Sequence, residues 1–364
     1  MDPLDMRKGL VLVRGGSSGG SKKVLHKALA DKLILGESLT GLLRAMTYGS
    51  SYCTIVDFWE GGSTLYGWSL NGRCIDRFPV FIGSPDCLEV LKGKPLQLRF
   101  DVEFQGSVKG YLEKVNDRYQ RSWIKDLEKR MYTSQNGFCS VFRELQKGVK
   151  ARRVYGEVSS IYVDKKLVYV SWLGAIGYRN LVNTLPLNYF LSKARLTEFK
   201  GDEAFKDYLS RATFSYKSLY VLMMIMEGGK LSEAKVYNIG KKGFYLATVV
   251  LLPGWKIYPW LGNKLVIYAI APLDLGSLRA EISNRLLVEV KRAGINIKNV
   301  LVFREYFERY GVLGSEDLSY VEERLREYGI TLSGRLGTWK EKSVCEIVNE
   351  FKPYLRSNGS TTKA

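Results

Sequence analysis

Apolar and polar positions change period several times along the chain, and each change predicts an element. Residues 32–35 form a short apolar run, Gly36 interrupts it, and residues 39–46 place apolar side chains at helical spacing. A second apolar run, 53–56, stops at Asp57, and Gly61-Gly62 breaks the chain again. Strand, glycine turn, helix and strand make one βαβ unit. From 106 to about 150 the pattern is helical with an interruption at Gly137. Residues 154–171 alternate about a turn at Asp164-Lys165-Lys166, which predicts antiparallel strands, and 181–186 is a strand ended by Pro186. Residues 190–305 mix both periods: an apolar stretch at 219–226, strands at 244–252 and 264–271, and a helix at 278–293. A helix at 319–328, a short strand at 330–332 and a helix at 343–351 close the chain, with no internal repeat.

Two glycine-rich stretches invite a phosphate. The first, RGGSSGGSKK at 14–23, follows an apolar run but lacks the Gly-Lys-Ser/Thr ending of a P-loop, because Gly20 is followed by Ser21 and Lys22. It reads as part of a flexible leader covering residues 1–30. The second is Gly36-x-Ser38-x-x-Gly41, between the first strand and helix. This is the layout of the dinucleotide fingerprint: the first glycine makes the turn, the second admits the pyrophosphate, and the third lets the helix pack on its strand. The unpaired amides of the helix N-terminus then face the phosphates. Ser38 stands where the second glycine belongs. Asp57 lies 21 residues after Gly36 at a strand end, where the fingerprint expects an acid on a ribose hydroxyl. An acid there repels a 2′-phosphate, which favours FAD or NAD over NADP.

Composition narrows the chemistry. No apolar run of the 364-residue chain approaches the ~20 residues a membrane helix needs, and the start lacks the shape of a secretory signal. A cytoplasmic protein is the expectation. Five cysteines, none in a C-x-x-C pair, suggest neither a disulfide framework nor a zinc site. A single histidine, His26, cannot sustain a multi-histidine metal centre, so no metal is expected. The formal net charge of +18 favours anionic partners. Nucleic acid is disfavoured among them, because the aromatics are not interleaved with a basic stripe.

Several segments, in order, resemble the flavin amine oxidase, protoporphyrinogen oxidase and UDP-galactopyranose mutase superfamily. They are IVDFWEGG with STLYGWSLNGRCIDRFPVFIG, then YTSQNGFCSVFREL, GVKARRVYGEVSSIYVDKKLVYV, YRNLVNTLPLNYFL and YGITLSGRLGTW. The resemblance implies an α/β fold: a Rossmann-like FAD-binding domain, discontinuous in sequence (31–95, 150–188 and 325–357), with an inserted α+β substrate or cap domain (96–149 and 189–324). It implies that Gly36, Ser38 and Gly41 line the FAD pyrophosphate, that Asp57 binds the adenosine ribose, and that Gly61 and Gly62 pass close to the phosphates. Val158 would offer backbone to the adenine. Gly334, Arg335 and Gly337 would lie along the ribityl chain and phosphate, with Trp339 near the flavin ring. Tyr306 and Tyr310 would face a substrate pocket.

Some positions depart from the family pattern. The stretch from Asp57 to Gly61 is short, Ser63 replaces the usual arginine, and no histidine stands near Pro79. The expected function is flavin-dependent: hydride transfer from an amine or porphyrinogen-type substrate, or mutase chemistry on a nucleotide-sugar. No residue can be named as the catalytic base. The alternatives are a flavin-fold protein without catalysis and a basic nucleic-acid-binding protein.

Overall fold

The computed structural model describes residues 28–60, 63–115, 130–194, 199, 201–228, 231–274, 281–314 and 316–357. The Gly/Ser-rich stretch, His26 and the Gly61-Gly62 pair lie outside the described residues.

The first predicted unit forms as β1 (Ala28–Leu35), α1 (Leu39–Thr47) and β2 (Cys53–Asp57). Ser38 caps α1 by accepting a hydrogen bond from the Gly41 amide, and Leu39, Leu42, Leu43 and Ala45 bury one face. A small hairpin follows, β3 (Trp68–Leu70) with β4 (Arg73–Ile75), then α2 (Asp86–Val90) and the long β5 (Pro95–Gly106). The block expected to be helical from 106 to 150 divides into α3 (Val108–Val115), β6 (Arg130–Ser134) and α4 (Phe138–Gly148). Residues 130–134 become a strand because β5 pairs with them antiparallel, a partner no local pattern announces.

Next come β7 (Arg152–Tyr155), the expected hairpin β8 (Val158–Tyr162) and β9 (Leu167–Val170), β10 (Gly174–Asn183), α5 (Leu187–Lys193) and α6 (Glu203–Arg211). Then follow β11 (Tyr216–Met226), β12 (Ala234–Gly240), β13 (Thr248–Pro253), α7 (Gly254–Ile257), β14 (Leu265–Leu273), α8 (Ile282–Arg292) and β15 (Val300–Leu313). The end is α9 (Ser319–Glu327), β16 (Ile330–Leu332), α10 (Gly334–Gly337) and α11 (Val344–Ser357).

Two seven-stranded sheets organise these elements. In the first the order is β7-β2-β1-β10-β9-β8, with β16 also on β10. Its β7, β2, β1, β10 and β16 pair in parallel, and β8 and β9 add an antiparallel flap. The second runs β15-β11-β14-β13-β12-β5-β6, antiparallel except for β12 with β5. Leu219 to Met226 is the inner strand β11 of that sheet, buried on both faces, which is why it reads as an unbroken apolar run. No helix among the described residues is long and apolar enough to cross a membrane.

The cysteines correct one expectation. Cys74 bonds Cys139 and Cys87 bonds Cys345, at separations of 65 and 258 residues, while Cys53 stays reduced and buried. Distances of this size along the chain leave no spacing motif to read.

Candidate functional site

The Gly36 turn sits at the carboxyl end of β1, between β2 and β10. Gly36 has φ +102°, its amide donates to the Val56 carbonyl at 2.8 Å, and a Cβ there would come within 2.4 Å of Thr184 Oγ1. A Cβ on Gly41 would meet the Gly36 carbonyl oxygen at 2.1 Å. The first and third glycines therefore hold turn, helix and strand together, as the fingerprint demands. The Ser38 hydroxyl serves α1, accepting from the Gly41 amide at 3.2 Å and donating to Thr184 Oγ1 at 3.0 Å.

The C-terminal segment packs onto this turn. A Cβ on Gly334 (φ +75°) would lie 2.3 Å from Thr40 Oγ1, and one on Gly337 would lie 2.4 Å from the Asn183 carbonyl oxygen. Gly334 and Thr40, 294 positions apart in sequence, thus meet at α1. Trp339 and Tyr310 also meet, with ring centres 5.7 Å apart. Tyr306 stands apart from them: its hydroxyl lies 3.0 Å from Thr64 Oγ1 and donates to Glu308 at 2.8 Å, and its ring meets Trp68 edge-on.

Each of these groups also has partners within the protein. The Asp57 carboxylate accepts the Glu37 amide at 2.5 Å with one oxygen and the Phe58 amide at 2.6 Å with the other. Glu37 lies inside the glycine turn with its side chain 1% exposed, ion-paired to Arg153 and accepting the Tyr155 hydroxyl at 3.0 Å. The Val158 carbonyl accepts the Tyr189 hydroxyl at 3.1 Å, and the Tyr189 ring packs 5.5 Å from Phe58. Arg335 makes a two-pronged pair with Glu341 at 2.8 and 2.9 Å and donates to the Gly311 carbonyl at 2.8 Å. Trp339 is 1% exposed among Phe214, Tyr216 and Tyr310, with its indole N–H on Glu316 at 3.1 Å. Glu37, Arg153, Tyr155, Tyr189 and Glu341 are the residues that sequence reasoning missed. Glu37 alone carried a local signal, being an acid inside a turn meant to face phosphates.

These groups do not fit FAD as arranged. The carboxylate expected at a ribose accepts two backbone amides, the carbonyl of Val158, whose backbone is expected at the adenine, accepts a tyrosine hydroxyl, and the arginine expected at a diphosphate is paired with a glutamate.

Burial leaves an electrostatic signature. Desolvation pushes the Asp57 carboxyl up to about 6, outweighing its two amide hydrogen bonds, and the neighbouring Glu37 charge adds to the rise. Asp76, fully buried, is likewise pushed up to about 6 by desolvation. For both, the folded value exceeds the unfolded one of about 3.8, so the native state takes the proton first. Their contribution to stability is fully present below about pH 4 and is lost as pH rises through about 6. Each is worth on the order of 3 kcal/mol. We expect the melting temperature to rise from pH 7 to pH 4.5, and the rise to shrink in Asp57→Asn. Equal slopes for the two proteins would rule the Asp57 contribution out.

No protein-family model matches the chain, and no curated protein matches it. Solved structures do. A reduced UDP-galactopyranose mutase superposes with a TM-score of 0.71 at 10% identity, covering 92% of this chain and 95% of that one. A putative protoporphyrinogen oxidase from Exiguobacterium sp. 255-15 gives 0.64 at 12% identity, covering 92% and 99%. A redesigned putrescine oxidase gives 0.59 at 10% identity, covering 93% and 100%. Likeness at this level of identity concerns architecture, and on it the chain has the fold of the flavin amine oxidase-like superfamily.

Proposed function

We propose that the chain uses the flavin amine oxidase-like fold as a binding scaffold and carries no flavin redox reaction. The observation that supports this is the Glu37 carboxylate, buried in the pyrophosphate turn and held by Arg153 and Tyr155. A diphosphate brought to this turn would meet a carboxylate in place of a free donor, with Arg153 and Tyr155 already committed to it. The capped Val158 carbonyl and the Arg335–Glu341 pair act in the same direction at the adenine and phosphate ends.

A second reading keeps the cofactor. It is favoured by the intact Gly36 turn ahead of a nine-residue helix, with Asp57 at the neighbouring strand end. On it, the chain is an FAD-dependent oxidoreductase or a mutase acting on an anionic nucleotide-sugar, for which a net charge of +18 is suited. One titration separates the two. We expect purified protein to be colourless, and added FAD to pass through gel filtration without it. A yellow protein that retains one FAD per chain and bleaches on dithionite reduction would overturn the first reading and establish the second.

A further inference from the structure

A cavity of about 540 Å³ opens on the side of α1 away from the glycine turn. Its walls come from α1, the end of α2, the end of β6, α4 and α11. Leu43 and Met46 of α1, Val141 and Leu145 of α4, and Leu355 of α11 make its surface apolar, continuous with the core beneath. The size is that of a small-molecule site, roughly 300–1,000 Å³. The polar part of the lining is Lys92, Lys94, Ser134, Gln135, Ser140 and Glu144. Lys92 and Lys94 flank Gly93 at the lip, and the Gln135 amide donates to the Lys94 carbonyl at 2.9 Å, which ties the end of β6 to the lip. Lys92 sits at φ +59° past the end of α2, its amide on the Glu89 carbonyl at 2.9 Å, which holds the lip in a defined turn. Both lysines are exposed, and no acidic partner is recorded for either among the described residues. The lining acid, Glu144, is already paired with Lys147 at 2.7 Å.

We propose that this cavity binds a single-chain fatty carboxylate, with its alkyl tail on the apolar wall and its headgroup between Lys92 and Lys94. Charge complementarity selects the headgroup: Lys92 and Lys94 have no acidic partner among the described residues, whereas the one acid of the lining, Glu144, is paired with Lys147. The Cys87–Cys345 bond ties α2 to α11 and so fixes two of the walls relative to each other. None of the lining residues belongs to the glycine turn or to the Arg335 segment, so the proposal stands whichever reading of the flavin site holds.

The test is calorimetric titration of the whole oxidised protein with dodecanoate and with 1-dodecanol. We expect one equivalent of dodecanoate to bind with a Kd of about 10 μM, and Lys92→Ala/Lys94→Ala to weaken it at least about tenfold while leaving the melting temperature unchanged. Dodecanol should bind both proteins equally and more weakly than dodecanoate binds the parent. Val141→Phe, which fills the cavity, should weaken both probes. Absence of saturable dodecanoate binding would overturn the proposal, as would binding that survives both variants or a dodecanol affinity equal to that of dodecanoate. A chain ending at Ser357 should bind as the full chain does. Binding about tenfold tighter in that shortened chain would mean that residues 358–364 are the natural occupant, and would also overturn it.

Discussion

Replacing Asp76 by alanine should cost about 4 kcal/mol of stability, the largest loss expected from any single side chain near the site. Asp76 follows β4 and is fully buried. One carboxylate oxygen accepts the Cys139 amide at 2.7 Å, and the other accepts the Phe138 amide at 3.1 Å and the Tyr258 hydroxyl at 2.9 Å. Its carbonyl accepts the Tyr268 hydroxyl at 2.9 Å. The two amides open α4, whose N-cap is Gly137 and so has no side chain to satisfy them. Asp76 therefore caps the helix from outside it, and its charge sits at the positive end of the helix dipole. Gly137, at φ +81°, makes room: a Cβ there would lie 2.7 Å from the Asp76 carboxylate.

The same residue joins the two halves of the structure. Tyr268 lies on β14 of the second sheet and Tyr258 just after α7, whereas α4 packs against α1 beside the first sheet. Alanine would leave the Phe138 and Cys139 amides without their acceptor and the Tyr258 hydroxyl without the carboxylate it donates to, at about 1–3 kcal/mol for each buried group before relaxation. Asparagine keeps the shape and one acceptor, so about half the loss is expected. Urea unfolding followed by far-UV circular dichroism would measure this as a fall in midpoint at constant slope. An alanine variant within about 1 kcal/mol of the parent would show that the cap contributes little.

The sequence made the elements with local signals readable and hid those made by distant partners. The βαβ unit from β1 to β2 and the β8–β9 hairpin depend on a glycine turn and on the Asp164-Lys165-Lys166 turn, both contiguous with the strands they join. By contrast β6 is five residues long and is a strand through β5, more than thirty residues earlier. The site divides in the same way. Gly36, Gly41, Gly334 and Gly337 stand out in the sequence as glycines, and at each a Cβ would come within 2.4 Å of a threonine hydroxyl or a backbone carbonyl. The state of the groove was not readable, because it rests on pairs such as Glu37 with Arg153 and Val158 with Tyr189, 116 and 31 residues apart. Side-chain pairing over such distances has no period and no motif. A resemblance carries the backbone path more faithfully than it carries the partners that fill it, so fold and cofactor can part company here.

Reduction should destabilise the protein strongly, because both disulfides close long loops. Cys74–Cys139 spans 65 residues and Cys87–Cys345 spans 258, and in the chain-entropy picture loops of these sizes restrict the unfolded state by about 4–6 kcal/mol each. Measured bridges commonly contribute about 2–4 kcal/mol, so the pair should supply about 6 kcal/mol, comparable to the whole stability of a domain. Each bridge pins an element that matters for the readings above. Cys139 lies in the first turn of α4, next to the amide held by Asp76, and a Cβ on Gly67 would come within 2.5 Å of the Cys139 Cβ, so the bridge is packed against backbone. Cys345 begins α11, which packs on both α1 and α2. Cys53 takes no part: burial pushes its thiol up to about 11, which keeps it protonated and unreactive at neutral pH. Thiol counting is therefore sharp. Of five cysteines, native oxidised protein should expose none to a thiol reagent, the denatured oxidised protein one, and the denatured reduced protein all five. Heating with and without reductant should separate the two melting temperatures by well over 10 °C if the bridges contribute as estimated. Five free thiols in freshly denatured protein, or a melting curve indifferent to reductant, would remove both bridges from the account. Because Cys139 adjoins Asp76, Cys74→Ser/Cys139→Ser combined with Asp76→Ala should lose less than the sum of the separate losses, whereas Cys87→Ser/Cys345→Ser, further from Asp76 in the fold, should add to it.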